Sequence, residues 1–378
     1  MQVEVKEKQA RDSGPILLSR ILIIVGAVVL FLLAIDLISY SFLHIRQQLG
    51  TTILSVADNP FIGLFIGLLL TAVIQSSSTS TTMIVALVGS GAMSLSAAVP
   101  IVMGANVGTT LTSTLVSLSF IAKKREFRKA ISAATVHDFY NVILVAIMFP
   151  LEYNYQLLSR LSAGLVVWLN DHLKLDLLEA VPFGRGLLEG VGHWVASLIG
   201  NDWLLLLLSF ALLFTTIKLI SQFMSRSLIG SSRERLKEHI FQNPYKAFAW
   251  GGILTAAVQS SSITTSLIVP LVAKGKVSLH KAFPFVMGAN VGTTITALVA
   301  TLFSSQAALE LAIVHFLFNL FGALLFLPYQ PIRRWPELLA ATFGKLTLRH
   351  RIYGFLYILL LFFAIPFLLI YCYRQGLL

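Results

Sequence analysis

The chain has 378 residues, 56% of them hydrophobic and only 12% charged, with a mean hydropathy of +0.82 and a formal net charge of +11. A soluble domain of this length cannot hide so much apolar surface, so the chain belongs in a bilayer. Its basic residues sit in short loops beside apolar spans, which is membrane topology and not a nucleic-acid surface, and its single cysteine, Cys372, excludes an internal disulfide or a thiolate zinc site.

Residues 1–15, with Lys6, Lys8 and Arg11, read as a cytoplasmic tail. The apolar run over 16–39, interrupted by Arg20 and Asp36, is too long for a signal-peptide core and is read as a retained first helix. The connection Lys123-Lys124-Arg125-Glu126-Phe127-Arg128-Lys129 is strongly basic, as is 225–239, whereas 151–202 holds more acids than bases. An excess of positive charge marks cytoplasmic loops, so the first two face inward and the third outward.

These assignments predict an all-α polytopic membrane protein. Repeat 1, residues 16–150, contains the first helix, a re-entrant hairpin over 60–91, a broken helix over 94–120 and a helix over 131–150. An interfacial linker, 151–202, joins it to repeat 2, residues 203–327, with a helix over 203–223, a hairpin over 245–274, a broken helix over 278–303 and a helix over 307–327. Residues 328–378 form a basic cytoplasmic connector and a final helix that ends outside.

The division into repeats rests on self-similarity. Residues 71–118 align with 255–302 at a constant offset of 184 without a gap, and 27 of 48 positions are identical. Gln75-Ser76-Ser77-Ser78 matches Gln259-Ser260-Ser261-Ser262, and Gly104-Ala105-Asn106-Val107-Gly108-Thr109-Thr110 matches Gly288-Ala289-Asn290-Val291-Gly292-Thr293-Thr294. Asn59-Pro60 and Asn243-Pro244 share the offset, and His137 and Asn141 recur as His315 and Asn319 after a shorter loop. Asn59 follows an outward-running helix and Asn243 a cytoplasmic loop, so the two copies are inverted, the arrangement that underlies alternating access.

Each hairpin has two apolar arms too short to cross alone, meeting at a Ser/Thr-rich turn. Such backbone is tolerated at membrane depth only where it lines a protein cavity. Glycines flanking Asn106 and Asn290 predict that those helices unwind there. No Lys, Arg, Asp or Glu occurs from Phe61 to Ile121, so an anion is held by hydroxyls, amides and helix N-termini. Oxyanions such as phosphate suit that inventory, and sodium suits it equally, because hydroxyls and carbonyls are hard neutral ligands. The phosphate candidates are Gln75, Ser76, Ser77, Ser78, Asn106, Gln259, Ser260, Ser261, Ser262 and Asn290. The sodium candidates are Asp138, Ser77, Thr79, Thr109, Thr110, Ser261, Thr264, Thr293 and Thr294. Asp138 has no counterpart, since Phe316 stands at its place in the second copy; at that depth it binds a cation or pairs with His137 or a hydroxyl.

With these motifs, and with Glu126-Phe127-Arg128-Lys129-Ala130 and Thr135-Val136-His137-Asp138-Phe139-Tyr140-Asn141, the chain resembles the type II sodium-dependent phosphate cotransporters and their bacterial relatives over about residues 55–150 and 240–370. The resemblance implies that the two Gln-Ser-Ser-Ser motifs form the phosphate and sodium site where the hairpins meet. It also implies an electrogenic member that binds an additional sodium at Asp138, where electroneutral members have Gly. Ser132 stands where electrogenic animal members have the first Ala of Ala-x-Ala-x-x-x-Asp. A short cysteine-free linker replaces the large extracellular loop of animal members, which points to a prokaryotic plasma membrane.

The resulting expectation is a sodium-coupled phosphate symporter with sodium as the co-transported ion, no organic cofactor and room for a homodimer. A passive anion channel, or a carrier of another oxyanion, is the alternative. An intramembrane hydrolase is the remote one, because no serine lies in a nucleophile-elbow context and both serine motifs are duplicated.

Overall fold

The structure, a computed structural model, describes residues 59–173, 182–228, 240–301 and 305–376, with parts of an N-terminal helix between 23 and 45. The tail 1–15 and most of the basic loop 225–239 lie outside the described residues. All regular structure among the described residues is helical. Five helices, Leu95–Leu118, Lys124–Tyr155, Leu279–Ala300, Gln306–Phe326 and Ile352–Arg374, are long and apolar enough to cross a membrane. The protein is thus built as a helical membrane protein.

In chain order the helices are α1 (Pro60–Ile74), α2 (Ser77–Gly89), α3 (Leu95–Gly108), α4 (Leu111–Leu118), α5 (Lys124–Tyr155), α6 (Leu157–Leu173), α7 (Pro182–Ile199) and α8 (Asp202–Leu228). There follow α9 (Pro244–Val258), α10 (Ser261–Ser266), α11 (Ile268–Ala273), α12 (Leu279–Ala300), α13 (Gln306–Phe326), α14 (Gln330–Arg349), α15 (Ile352–Leu359) and α16 (Ile365–Arg374). A π-helical turn, Leu360–Ala364, joins the last two.

Equivalent sequence makes equivalent ends. Asn59 caps α1 by accepting from the Phe61 and Ile62 amides, Asn243 caps α9 by accepting from Lys246, and a proline follows each cap at the first helical position. Ser94 and Ser278 cap α3 and α12 in the same way.

The two copies also pack identically. α1 lies against α3 and α9 against α12 in the two most extensive helix pairs of the fold. A Cβ on Gly104 would sit 1.8 Å from the Leu64 carbonyl oxygen, and one on Gly288 would sit 1.9 Å from that of Phe248. Gly67 and Gly251 face Ile101 and Phe285 just as closely, at 1.9 and 2.0 Å, and Gly108 and Gly292 both approach at 2.4 Å. All three contacts repeat at the offset of 184. Apolar side chains gain little by leaving lipid for each other, so backbone-to-backbone packing through small residues is what holds such pairs.

This overturns one expectation. Asn106 and Asn290 lie inside helices, because the glycines beside them serve close approach and do not unwind the chain. In the first copy the helix is interrupted just beyond, at Thr109-Thr110, while α12 runs unbroken from Leu279 to Ala300. The second copy is instead interrupted at Leu267, between α10 and α11. Pro270 has no N–H to give the Ser266 carbonyl, whereas Ala86 at the same place leaves α2 continuous.

The helix assigned to 131–150 is longer, starting in the basic connection at Lys124 and ending at Gln156, which turns left-handed with φ 51°. Glu152 then caps α6, accepting from the Leu158 amide at 2.7 Å and from the Ser159 hydroxyl. Further along the 151–202 stretch the described residues form α6 and α7, and residues 174–181 lie outside the described residues.

Gly104→Ala and Gly288→Ala are each expected to cost about 2–3 kcal/mol by forcing backbones apart. Gly164→Ala, which meets nothing within 4 Å, is expected to leave stability unchanged or slightly raised. Thermal unfolding in detergent compares them; equal midpoints for the three variants would show that the close approach is not structural.

Candidate functional site

The two Gln-Ser-Ser-Ser turns have the same backbone. Gln75 and Gln259 end α1 and α9 in the left-handed region at φ 58° and 53°, a conformation rare for a residue with a side chain. Ser76 and Ser260 follow in extended conformation, φ −146° and −150°, and cap the next helix by accepting from the Thr79 and Ile263 amides. Each turn therefore brings the carbonyl end of one helix and the amide end of another to one point.

The turns meet each other across the repeat. Ser77 Oγ lies 3.4 Å from Ser261 Oγ. Ser78 donates to the Gln259 carbonyl at 3.1 Å, and Ser262 returns the bond to the Gln75 carbonyl at 3.3 Å. Beside them Ser113 and Thr265 pair at 2.9 Å. Ser77, Ser78, Ser261 and Ser262 are all buried, while Gln75 keeps its side chain exposed.

The threonine candidates are buried too, and each bonds within its own copy. Thr79 pairs with Ser76, and Thr264 donates to the Ser260 carbonyl. Thr109, Thr110, Thr293 and Thr294 donate to carbonyls one turn back, at 2.7–2.9 Å. A hydroxyl that donates in this way keeps oxygen lone pairs for a cation. Three further matched pairs of buried hydroxyls, Thr71 with Thr255, Thr82 with Ser266 and Thr112 with Thr296, have no hydrogen-bond partner. Their sequence signal was the offset itself, applied position by position.

Asn106 and Asn290 are spent elsewhere. His137 Nε2–H donates to Asn290 Oδ1 at 2.6 Å, which puts the ring proton on Nε2, and Asn290 Nδ2 donates to Asn141 Oδ1 at 2.8 Å. Asn141 in turn donates to the Asn106 carbonyl at 2.7 Å, and Asn319 donates to Asn106 Oδ1 at 3.1 Å. This buried network ties α5 to α12 and α13 to α3, joining the copies at a second level, and the matched bonds Asn290–Asn141 and Asn319–Asn106 account for the recurrence of Asn141. Nδ1 of His137 and Nδ1 of its counterpart His315 are both buried without a hydrogen-bond partner.

Asp138 forms a separate centre, joined by no hydrogen bond to either serine turn. Its side chain is fully buried, with Oδ2 accepting from Tyr357 at 2.9 Å and from Thr114 at 3.3 Å, while Oδ1 has no partner. It does not pair with His137, whose ring turns to Asn290. Tyr357 was missed by reading the sequence, because a tyrosine in the apolar final helix looks like any interfacial aromatic. The π turn that follows it is a feature that often marks functional positions.

Over residues 30–169 and 212–348 the chain matches the family described as Na+/Pi-cotransporter. The chain belongs to the Na+/Pi-cotransporter family. Among its relatives, sodium-dependent phosphate transport protein 2A of Ovis aries is 30% identical over 95% of this chain and 68% of its own length. Protein 2A of Mus musculus is 31% identical over 89% of this chain, and protein 2B of Homo sapiens is 27% identical over 92%. The chain spans 65% and 64% of the lengths of those two relatives. No solved structure matches it.

Within this family member, Asn141→Leu removes two short bonds and strands the Asn290 amide. The expected loss is about 2–3 kcal/mol, read as a lower unfolding midpoint in detergent. A midpoint equal to wild type would show that the network does not join the copies.

Proposed function

We propose that the protein is a sodium-coupled inorganic phosphate symporter of the plasma membrane, with two inverted copies exposing one shared site to either side in turn. The observation that carries this reading is the meeting of Ser77 and Ser261, 3.4 Å apart, at two turns with matching backbone. Family membership and the names of the relatives support sodium and phosphate as the transported pair.

In this reading α1–α2 and α9–α11 are the re-entrant hairpins. Phosphate docks between the turns, where Ser77, Ser78, Ser261 and Ser262 and the amide end of α2 offer donors without a fixed positive charge. The side chains of Gln75 and Gln259 and the capping hydroxyls of Ser76 and Ser260 complete its shell. Asn106 and Asn290 support the site as scaffold. Sodium takes hydroxyl and carbonyl oxygens of the same turns, and its charge offsets that of the anion. An additional sodium goes to Asp138, whose unpartnered Oδ1 is a costly acceptor to leave buried and which makes the cycle electrogenic. The serines bond each other and lie in no hydrogen bond with a histidine, which supports transport over hydrolysis.

Proteoliposomes are expected to take up phosphate against a concentration difference with sodium outside and not with choline. Equal uptake in the two would refute coupling, and unitary currents in planar bilayers would favour a channel. Ser77→Ala with Ser261→Ala is expected to lower uptake at least tenfold. Asp138→Gly is expected to abolish phosphate-evoked current while sodium-dependent uptake remains; unchanged current would remove the role of Asp138.

Tyr357→Phe takes away the 2.9 Å hydroxyl donor to a buried carboxylate. In choline medium the variant is expected to lose about 1–3 kcal/mol of stability, with part of the loss recovered in sodium because a cation bound only by the folded protein stabilises it. A midpoint indifferent to sodium would separate Tyr357 from any cation site.

A further inference from the structure

Away from the serine turns, a cleft of about 420 Å³ opens between α5, α14 and the loop that joins α11 to α12. Arg128, Lys129 and Lys345 line it, together with Ser132 and Ser278. No acid is among its lining residues. The acids nearest in sequence are occupied: Glu126 pairs with Lys123 at 3.2 Å and Glu337 with His280 at 3.0 Å. Basic residues beside a membrane span ordinarily point into water as topology signals, so the informative feature is convergence on one concavity.

Specific packing produces that convergence. A Cβ on Gly344 would sit 2.1 Å from Ser132 Oγ and 2.8 Å from the Arg128 carbonyl, so the glycine seats α14 directly on α5 and brings Lys345 beside Arg128 and Lys129. Gly275 turns at φ 72°, and a Cβ there would lie 3.1 Å from Lys129 Nζ, so the ammonium overhangs the loop backbone. Ser278 caps the 22-residue α12, whose positive end therefore opens on the same cleft. Three cations with no counter-ion among the described residues, one of them the arginine fork of Arg128, together with a helix N-terminus make an anion site, and that donor set suits the several oxygens of a phosphate group.

We propose that this cleft is a second phosphate-group site on the cytoplasmic side, taking either inorganic phosphate or the headgroup of an anionic phospholipid. It uses none of the residues assigned to the serine turns and stands whichever solute those turns carry.

The test uses the full chain in phosphatidylcholine nanodiscs in sodium-free choline medium, which keeps sodium-driven binding at the turns silent. One arm measures binding of radiolabelled inorganic phosphate. The other measures retention of phosphatidic acid by native mass spectrometry. Wild type is expected to bind in at least one arm, and Arg128→Gln with Lys129→Gln and Lys345→Gln is expected to weaken that binding at least about tenfold. Arg334→Gln with Arg349→Gln, which removes exposed charge from α14 outside the cleft, is expected to leave it within twofold. Lys345→Gln alone, at an exposed position, is the second variant should the triple one fail to fold, with a severalfold loss expected. Binding of inorganic phosphate identifies a free-anion site, and retention of phosphatidic acid alone identifies a lipid headgroup. No binding by wild type in either arm, or equal binding by wild type and the cleft variants, overturns the proposal. Sodium-dependent uptake failing while cleft binding persists would instead count against the proposed symport.

Discussion

The structure depends on the reciprocal bonds by which each serine turn satisfies the other. A helix end leaves its last carbonyls without intrahelical partners, and burying such a group unpaired costs free energy comparable to a lost hydrogen bond. The Gln75 and Gln259 carbonyls are such groups, and Ser262 and Ser78 answer them from the opposite copy. Neither turn completes its hydrogen bonding within its own repeat. The fold therefore requires both copies together, and the place where they complete each other is also where hydroxyls, amides and carbonyls are most concentrated.

Much of this was legible in the sequence because repetition supplies a second reading of every position. A single Ser/Thr cluster in an apolar helix is ordinarily interhelical glue. Two clusters at one offset, each preceded by glutamine and followed by the same glycine motif, point beyond glue to the contact that Ser77 and Ser261 make across the repeat. The glycines themselves were the failure. Gly104 and Gly108 carry the same letters whether they unwind a helix or admit a neighbour, and only the position of the Leu64 carbonyl, 1.8 Å from a notional Cβ, decides for packing. Asn106 and Asn290 looked like ligands for the same reason: an amide in an apolar span needs a partner, and the sequence does not say whether the partner is a solute or Asn319 and His137.

Asp138 illustrates the opposite case, in which departure from the repeat was the signal. Phe316 occupies its counterpart position, so the carboxylate is not part of what the two copies share. Its surroundings come from outside the repeat as well as inside, since Thr114 belongs to α4 and Tyr357 to the final helix. No pattern local to residues 352–374 identifies Tyr357, because the contact exists only after the chain has closed around α5.

The two levels at which the copies join differ in the groups that make them, and this bears on how the proposed cycle works. At and beside the turns the cross-repeat contacts, 2.9 to 3.4 Å, are made mostly by hydroxyls, which rotate at little cost. In the asparagine network they span 2.6 to 3.1 Å and are made by planar groups that fix one arrangement. A solute that offers its own oxygens can replace the first set by a small rotation of each serine, but it cannot replace the second without stranding a buried amide. In the proposed cycle the turns therefore separate to admit substrate, while the asparagine network remains as the pivot about which the copies move.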